Sequence, residues 1–136
     1  MTRRIYLDVN IFRDYLESRK NRVGNDIGKH SEKLFDRAFS CEFEIVVSDY
    51  AIRQLSQQKM LQRAMVLFQQ LLEKNKIVRV ITGKSDMDEA KKSGNYDDCL
   101  HAILAKKSNA ECIVTRNIPD FLPFSHLIKA QLPERL

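Results

Sequence analysis

Glycine, proline and cysteine are scarce, with four, three and three among 136 residues. So little glycine and proline excludes a collagen-like repeat and a linker-like chain. The cysteines, Cys41, Cys99 and Cys112, are odd in number and lack Cys-x-x-Cys spacing. They read as small buried residues in a reducing compartment, not as a disulfide framework. His30, His101 and His126 lie in separate segments without zinc-ligand spacing, and His101 is read as a surface neighbour of Asp97 one helical turn away. No glycine-rich loop is present to cradle a phosphate, and no Gly-x-Ser-x-Gly elbow to raise a nucleophilic serine. No apolar run approaches the roughly 18 residues of a membrane span, and no signal peptide precedes the first strand. The expectation is a cytoplasmic protein with no membrane partner.

What remains is an ordinary globular balance, 43% hydrophobic and 30% charged, in 15.9 kDa. That fits a single domain over residues 1–136, large enough to bury one core. The formal net charge of +5 and pI near 9.2 suit a polyanionic partner.

Strand-like and helical patterns alternate. Short aliphatic or β-branched runs mark strands at residues 3–7, 44–48, 77–81 and 112–114, with an edge-like strand at 127–131. Between them apolar residues recur at helical spacing: Ile11, Phe12, Tyr15 and Leu16, then Leu34, Phe35 and Ala38. Leu61, Ala64, Met65, Phe68, Leu71 and Leu72 continue that pattern in a stretch, 50–74, that reads as one long helix or two successive ones. Asn10 and Asp49 are the expected caps of the helices that follow them, and Ser85 with Asp88 resembles a capping box. This alternation indicates an α/β fold with a mostly parallel sheet and helices on both faces. Residues 18–30 mix Arg19, Lys20, Arg22 and Lys29 with Gly24, Asn25 and Gly28. This basic loop is either a solvated connector or a phosphate-contacting arm.

The chemistry gathers in residues 96–121. Asp97 and Asp98 open a helix whose small apolar face runs through Cys99, Ala102, Ile103 and Ala105. The short strand Cys112-Ile113-Val114 follows, and just past it come Thr115, Arg116, Asn117 and Asp120. A crossover of this kind brings Asp98, at the helix start, towards the carboxyl end of the next strand and Asp120. Asp8 holds the matching position after the first strand. Ligand sites in open parallel sheets lie outside the carboxyl ends of the strands. Converging carboxylates repel by roughly 4 kcal/mol per pair at about 4 Å and an effective dielectric near 20. A divalent cation relieves that repulsion, and carboxylate and water ligands suit Mg²⁺ or Mn²⁺. Such a site is suited to phosphodiester hydrolysis.

Leu-Asp-Val-Asn near the N-terminus, Asp98 at the head of an alanine-rich helix, and Thr-Arg-Asn-Ile-Pro-Asp-Phe after a late strand together resemble the PIN domain, the fold of many toxin–antitoxin ribonucleases. The resemblance spans nearly the whole chain, and the Thr-Arg-Asn-x-x-Asp-Phe segment is its most specific part. It implies a three-layer α/β/α sandwich with about five strands. It also implies a metal-dependent endoribonuclease in which Asp8, Asp98 and Asp120 hold Mg²⁺ or Mn²⁺. RNA is then the substrate, the state a homodimer, and a small antitoxin protein a possible partner. Asp98 is preferred to its neighbour Asp97 because the family's ligand precedes an apolar residue and an alanine-rich helix, as Leu100 and Ala102 provide here.

The resemblance also assigns supporting roles. Thr115 and Asn10 are expected to hydrogen-bond the ligand carboxylates or their waters. Asn117 and Asp120 are rival assignments for the fourth group. Arg116 suits a phosphate or, alternatively, an ion pair with a site acid. One position departs from the pattern: a glutamate is common in the helix after the second strand, and Gln54 stands there. An amide brings no negative charge, which weakens cation binding. Asp49 is a candidate substitute. The alternative function is a catalytically attenuated RNA-binding or regulatory module on the same fold.

Overall fold

The computed structural model describes residues 2–17 and 27–136. The basic residues Arg19, Lys20 and Arg22 lie outside the described residues. The sheet has five strands, β1 (Arg4–Leu7), β2 (Glu44–Ser48), β3 (Ile77–Val80), β4 (Cys112–Val114) and β5 (Ala130–Gln131), in the order β3-β2-β1-β4-β5. All neighbours pair in parallel. The helices are α1 (Val9–Glu17), α2 (Ile27–Phe39), α3 (Asp49–Gln57), α4 (Leu61–Glu73), α5 (Lys84–Lys91), α6 (Tyr96–Lys107) and α7 (Ile118–Phe121).

Two cores make this a three-layer α/β/α sandwich. Strand side chains alternate between faces: Ile5, Leu7, Ile45, Val47, Cys112 and Val114 join one core with residues of α1 to α4. Tyr6, Val46 and Ile113 join the other with residues of α5, α6 and α7. β1, at the centre and covered on both sides, is buried from Ile5 to Leu7. Full burial of each such aliphatic side chain contributes about 1.5–3 kcal/mol, which fixes the strand against its two neighbours. No helix of the described residues is long and apolar enough to cross a membrane.

Of the two readings of residues 50–74, the two-helix one holds, with Lys59 at a positive φ of 60° between them. Several other boundaries differ from the sequence reading, each for a local reason. α4 buries Ala64, Leu67, Phe68 and Leu71 and leaves Met65 and Leu72 exposed, so its inward face is rotated from the expected one. α5 begins one residue before Ser85. The backbone N–H of Gly83 donates to Asp86 Oδ2 at 2.8 Å, so Asp86 and not Asp88 closes the cap. Ser48, not Asp49, caps α3 by accepting from the Ala51 N–H at 3.0 Å. The last strand shrinks to two residues at the sheet edge. Cys99 and Cys112 are buried as expected, whereas Cys41 is exposed in a left-handed turn with φ 67°.

Candidate active site

The carboxyl edge of the sheet gathers the ends of β1 and β4 and the starts of α1, α6 and α7. A parallel sheet forces this, because each crossover helix runs back antiparallel to its strands and so begins at their carboxyl ends. Helix N-termini favour negative charge, and acids cluster here accordingly.

Asp8 follows the paired residues Leu7 and Val114, and its own N–H donates to Val114 O at 3.0 Å. That pairing sets Asp8 beside Thr115, whose hydroxyl donates to Asp8 Oδ2 at 2.9 Å. The backbone N–H groups of Val9 and Asn10 also favour the charged carboxylate. Asp8 is therefore the acid at the head of α1. Asn10, the expected cap, is half-buried in the first turn and contributes its backbone N–H. Burial nonetheless pushes the Asp8 carboxyl up to about 6, the Thr115 bond opposing it and the Asp98 charge adding to it.

Asp98 stands in the first turn of α6 and accepts from Asn95 Nδ2 at 2.9 Å. Its carboxyl is raised by burial first, against the Asn95 hydrogen bond, and then by the charges of Asp120 and Asp97. Asp8, Asp98 and Asp120 are thus linked in series: Asp98 acts on Asp8, and Asp120 acts on Asp98. Asp120 itself is exposed on α7. Asp97 is engaged elsewhere, accepting from the Tyr50 hydroxyl.

Asn117 is exposed. Its backbone N–H donates to Thr115 Oγ1 at 3.0 Å and its carbonyl accepts from the Asp120 N–H at 3.0 Å, so it shapes the turn joining the two residues. Of the rivals, Asp120 is the one whose charge reaches Asp98. Arg116 is ion-paired, but with acids outside the Asp8, Asp98 and Asp120 set. Its Nε lies 3.3 Å from Asp14 Oδ2 and its Nη1 3.0 Å from Glu134 Oε1, on α1 and the C-terminal segment. Asp49 is likewise committed: Oδ1 accepts from the Thr82 hydroxyl at 2.6 Å and the Thr82 N–H at 2.9 Å, tying the ends of β2 and β3.

One feature escaped the sequence reading. A buried chain of hydrogen bonds crosses from β2 to α6 and on to α3. Ser48 Oγ and the Tyr6 hydroxyl lie 2.8 Å apart, Tyr6 reaches His101 Nδ1 at 2.6 Å, and His101 Nε2 meets Gln54 Oε1 at 2.7 Å. His101 is only 2% exposed and so is not the surface partner of Asp97. Burial lowers its imidazole to about 4 and keeps it neutral near pH 7. Gln54 is therefore half-buried and bonded to a histidine one helical turn from Asp98. The legible signal was Tyr6, a hydroxyl inside an otherwise aliphatic strand that needs a buried partner.

No protein-family model matches the chain, and no curated protein matches it either. Among the described residues, no three side chains of His, Cys, Asp or Glu form a ready-made metal-ligand group. The donors at hand are all hard oxygens, which suits Mg²⁺ or Mn²⁺. Mg²⁺ binds through one or two carboxylates and retains several waters. Asp8 and Asp98 are two such carboxylates, and Asp120 lies exposed on α7 at the same edge.

Proposed function

We propose that the protein is a metal-dependent endoribonuclease of the PIN-domain kind, with its site at the carboxyl edge of the sheet. What supports this reading is placement: Asp8, buried at the end of the central strand and bonded to Thr115, shares the carboxyl edge of the sheet with Asp98 in the first turn of α6 and Asp120 on α7, and burial together with the Asp98 charge raises the Asp8 carboxyl. Acids held together against repulsion are the expected signature of a site kept for a cation. Asp8 and Asp98 would hold Mg²⁺ or Mn²⁺, which when bound neutralises phosphate charge and lowers the pKa of an attacking water. Thr115 fixes the Asp8 carboxylate and Asn95 that of Asp98, so each acid presents a constrained oxygen. The chain's net charge of +5 favours a polyanionic substrate.

By the same resemblance the reading extends to the toxin half of a toxin–antitoxin pair, a cytoplasmic homodimer held inactive by a small antitoxin. The test of that extension is whether a neighbouring reading frame encodes a small DNA-binding protein; a gene that stands without one would count against it.

A second reading is favoured by one contact. The Gln54 amide, where the family's glutamate would stand, is engaged by His101 and brings no charge. On that reading the protein is an attenuated RNA-binding module. Incubation with structured and unstructured RNA in Mn²⁺, Mg²⁺ or chelator separates the two. The nuclease reading expects cleavage that vanishes in chelator and in Asp8→Asn and Asp98→Asn. Salt-sensitive binding with no cleavage in either metal supports the module instead.

A further inference from the structure

The same edge of the sheet carries a second concavity, outside the ends of β2 and β3. Its walls are Tyr50 and Arg53 of α3, Thr82 after β3, Met87 of α5, and Tyr96 with Leu100 of α6. We infer that this cavity is a subsite for one nucleobase of the RNA strand whose phosphate lies at Asp8 and Asp98, a proposal that rests on the RNA reading of those acids.

Shape and chemistry argue for a base. The cavity holds about 170 Å³, below the roughly 300–1,000 Å³ of pockets for whole drug-sized ligands, so it accepts a single ring system. The rings of Tyr50 and Tyr96 are half-buried, stand 81° to one another and have centroids 6.2 Å apart. The two rings pack edge to face on one another and Tyr50 also packs against His101 at 5.1 Å, so the aromatic surface left for a flat guest to stack on is that of Tyr96. Met87 and Leu100 add apolar surface to the lining. Every base has a π-face, so such a wall binds bases with little sequence preference.

The walls are fixed before any guest arrives. The Tyr50 hydroxyl donates to Asp97, and the Tyr50 backbone N–H donates to Asp49 Oδ1 at 3.0 Å. Asp49, the acid lining the cavity, spends that same oxygen on Thr82. Arg53 stands exposed at the rim, close enough for its charge to act on the Tyr50 hydroxyl. Its guanidinium fits a phosphate by charge and planar geometry. Arg116, the arginine the sequence suggested for that task, is instead paired with Asp14 and Glu134.

Position supplies the link to the acids. Tyr96 and Asp98 occupy one helical turn, two residues apart, and so point to opposite sides of α6. A helix with its side chains is about 10–12 Å across, which puts the cavity and the carboxylates within reach of one short strand laid along the carboxyl edge.

Equilibrium binding in chelator tests this without asking for cleavage. The probes are a labelled hexa-adenylate RNA, adenosine monophosphate and ribose 5-phosphate, titrated into the full chain. Affinity is expected to fall in that order. Tyr96→Ala is expected to weaken the hexamer and the monophosphate about tenfold, while Tyr96→Phe keeps wild-type affinity for both. Arg53→Ala, an exposed change that leaves the fold alone, is expected to lower the salt slope of hexamer binding by about one. Wild-type affinity in Tyr96→Ala, or ribose 5-phosphate binding as well as the monophosphate, would overturn the base subsite. Monophosphate binding as tight as the hexamer would make it a free-nucleotide site and overturn its place on a strand. Tyr96-dependent binding in a protein that never cleaves would remove the nuclease reading and leave the subsite standing. Cleavage with no Tyr96 dependence would do the reverse.

Discussion

His101 Nε2 and Gln54 Oε1 lie 2.7 Å apart, joining α6 to α3 at the outer end of a chain that begins at the fully buried Ser48. The oxygen acceptor requires the proton on Nε2, and Nδ1 then accepts from the Tyr6 hydroxyl. Gln54 is thus matched to a neutral histidine, and its amide completes a chain in which each group has a partner.

Gln54→Glu puts a carboxylate against that imidazole. The His101 midpoint, near 4 in the wild type, is expected to move up towards neutrality as the ion pair favours its charged form. An NMR titration of the imidazole reads this directly. A midpoint still near 4 would show that residue 54 turns away from His101. RNA cleavage gives a separate reading. A sharp rise in the variant makes position 54 part of the acid site, whereas an unchanged rate leaves it to the polar chain.

Asp8→Asn is expected to stabilise the fold at pH 7. Burial pushes the Asp8 carboxyl up to about 6 in the folded protein, against 3.8 for a free aspartate, so its charged form costs about 3 kcal/mol of stability above pH 6. That cost is relieved as pH falls from 6 towards 3.8, because the folded state then binds the extra proton. Asparagine can still accept from Thr115, so a gain of about 1–3 kcal/mol is expected in thermal melts in chelator. A lower melting temperature at pH 7 would contradict the strained-acid reading.

His101 works in the opposite sense. Its folded midpoint near 4 lies below the 6.5 of a free histidine, so its contribution is complete above pH 6.5 and is lost as pH falls towards 4. In the wild type the two groups offset one another across roughly pH 4 to 6. In Asp8→Asn only the histidine remains, so the variant's advantage is expected to shrink steadily on acidification. Parallel melting curves for the two proteins across that window would contradict this.

Arg116→Ala is expected to cost about 2–3 kcal/mol, because it takes a cation from Asp14, whose side chain is only 3% exposed. The same variant is expected to keep the wild-type salt slope for RNA binding, since its guanidinium is committed to Asp14 and Glu134. A slope reduced by about one would return Arg116 to the phosphate.

The layered fold was legible because each buried strand is a short aliphatic run bounded by polar residues, and each crossover carries helical spacing. Asp8 and Asp98 were legible as strand-end and helix-start acids, positions that a parallel topology brings to one edge. The His101 chain was not. Its bonded partners are 42 to 95 residues apart in sequence, and α6 is buried from Cys99 to Ala105, so no polar face distinguishes His101 from a surface residue. The caps at Asp8, Ser48 and Asp86 were misassigned by one or two positions because several oxygen-bearing residues stand in a row at each helix start, and only backbone geometry chooses between them.

Calorimetric titration of Mn²⁺ into the chain at pH 7.5 tests the central claim most directly. The account predicts saturable binding by the wild type that weakens at least about tenfold in both Asp8→Asn and Asp98→Asn, each of which removes one carboxylate from the pair. Equal Mn²⁺ affinity in the wild type and both variants would contradict it.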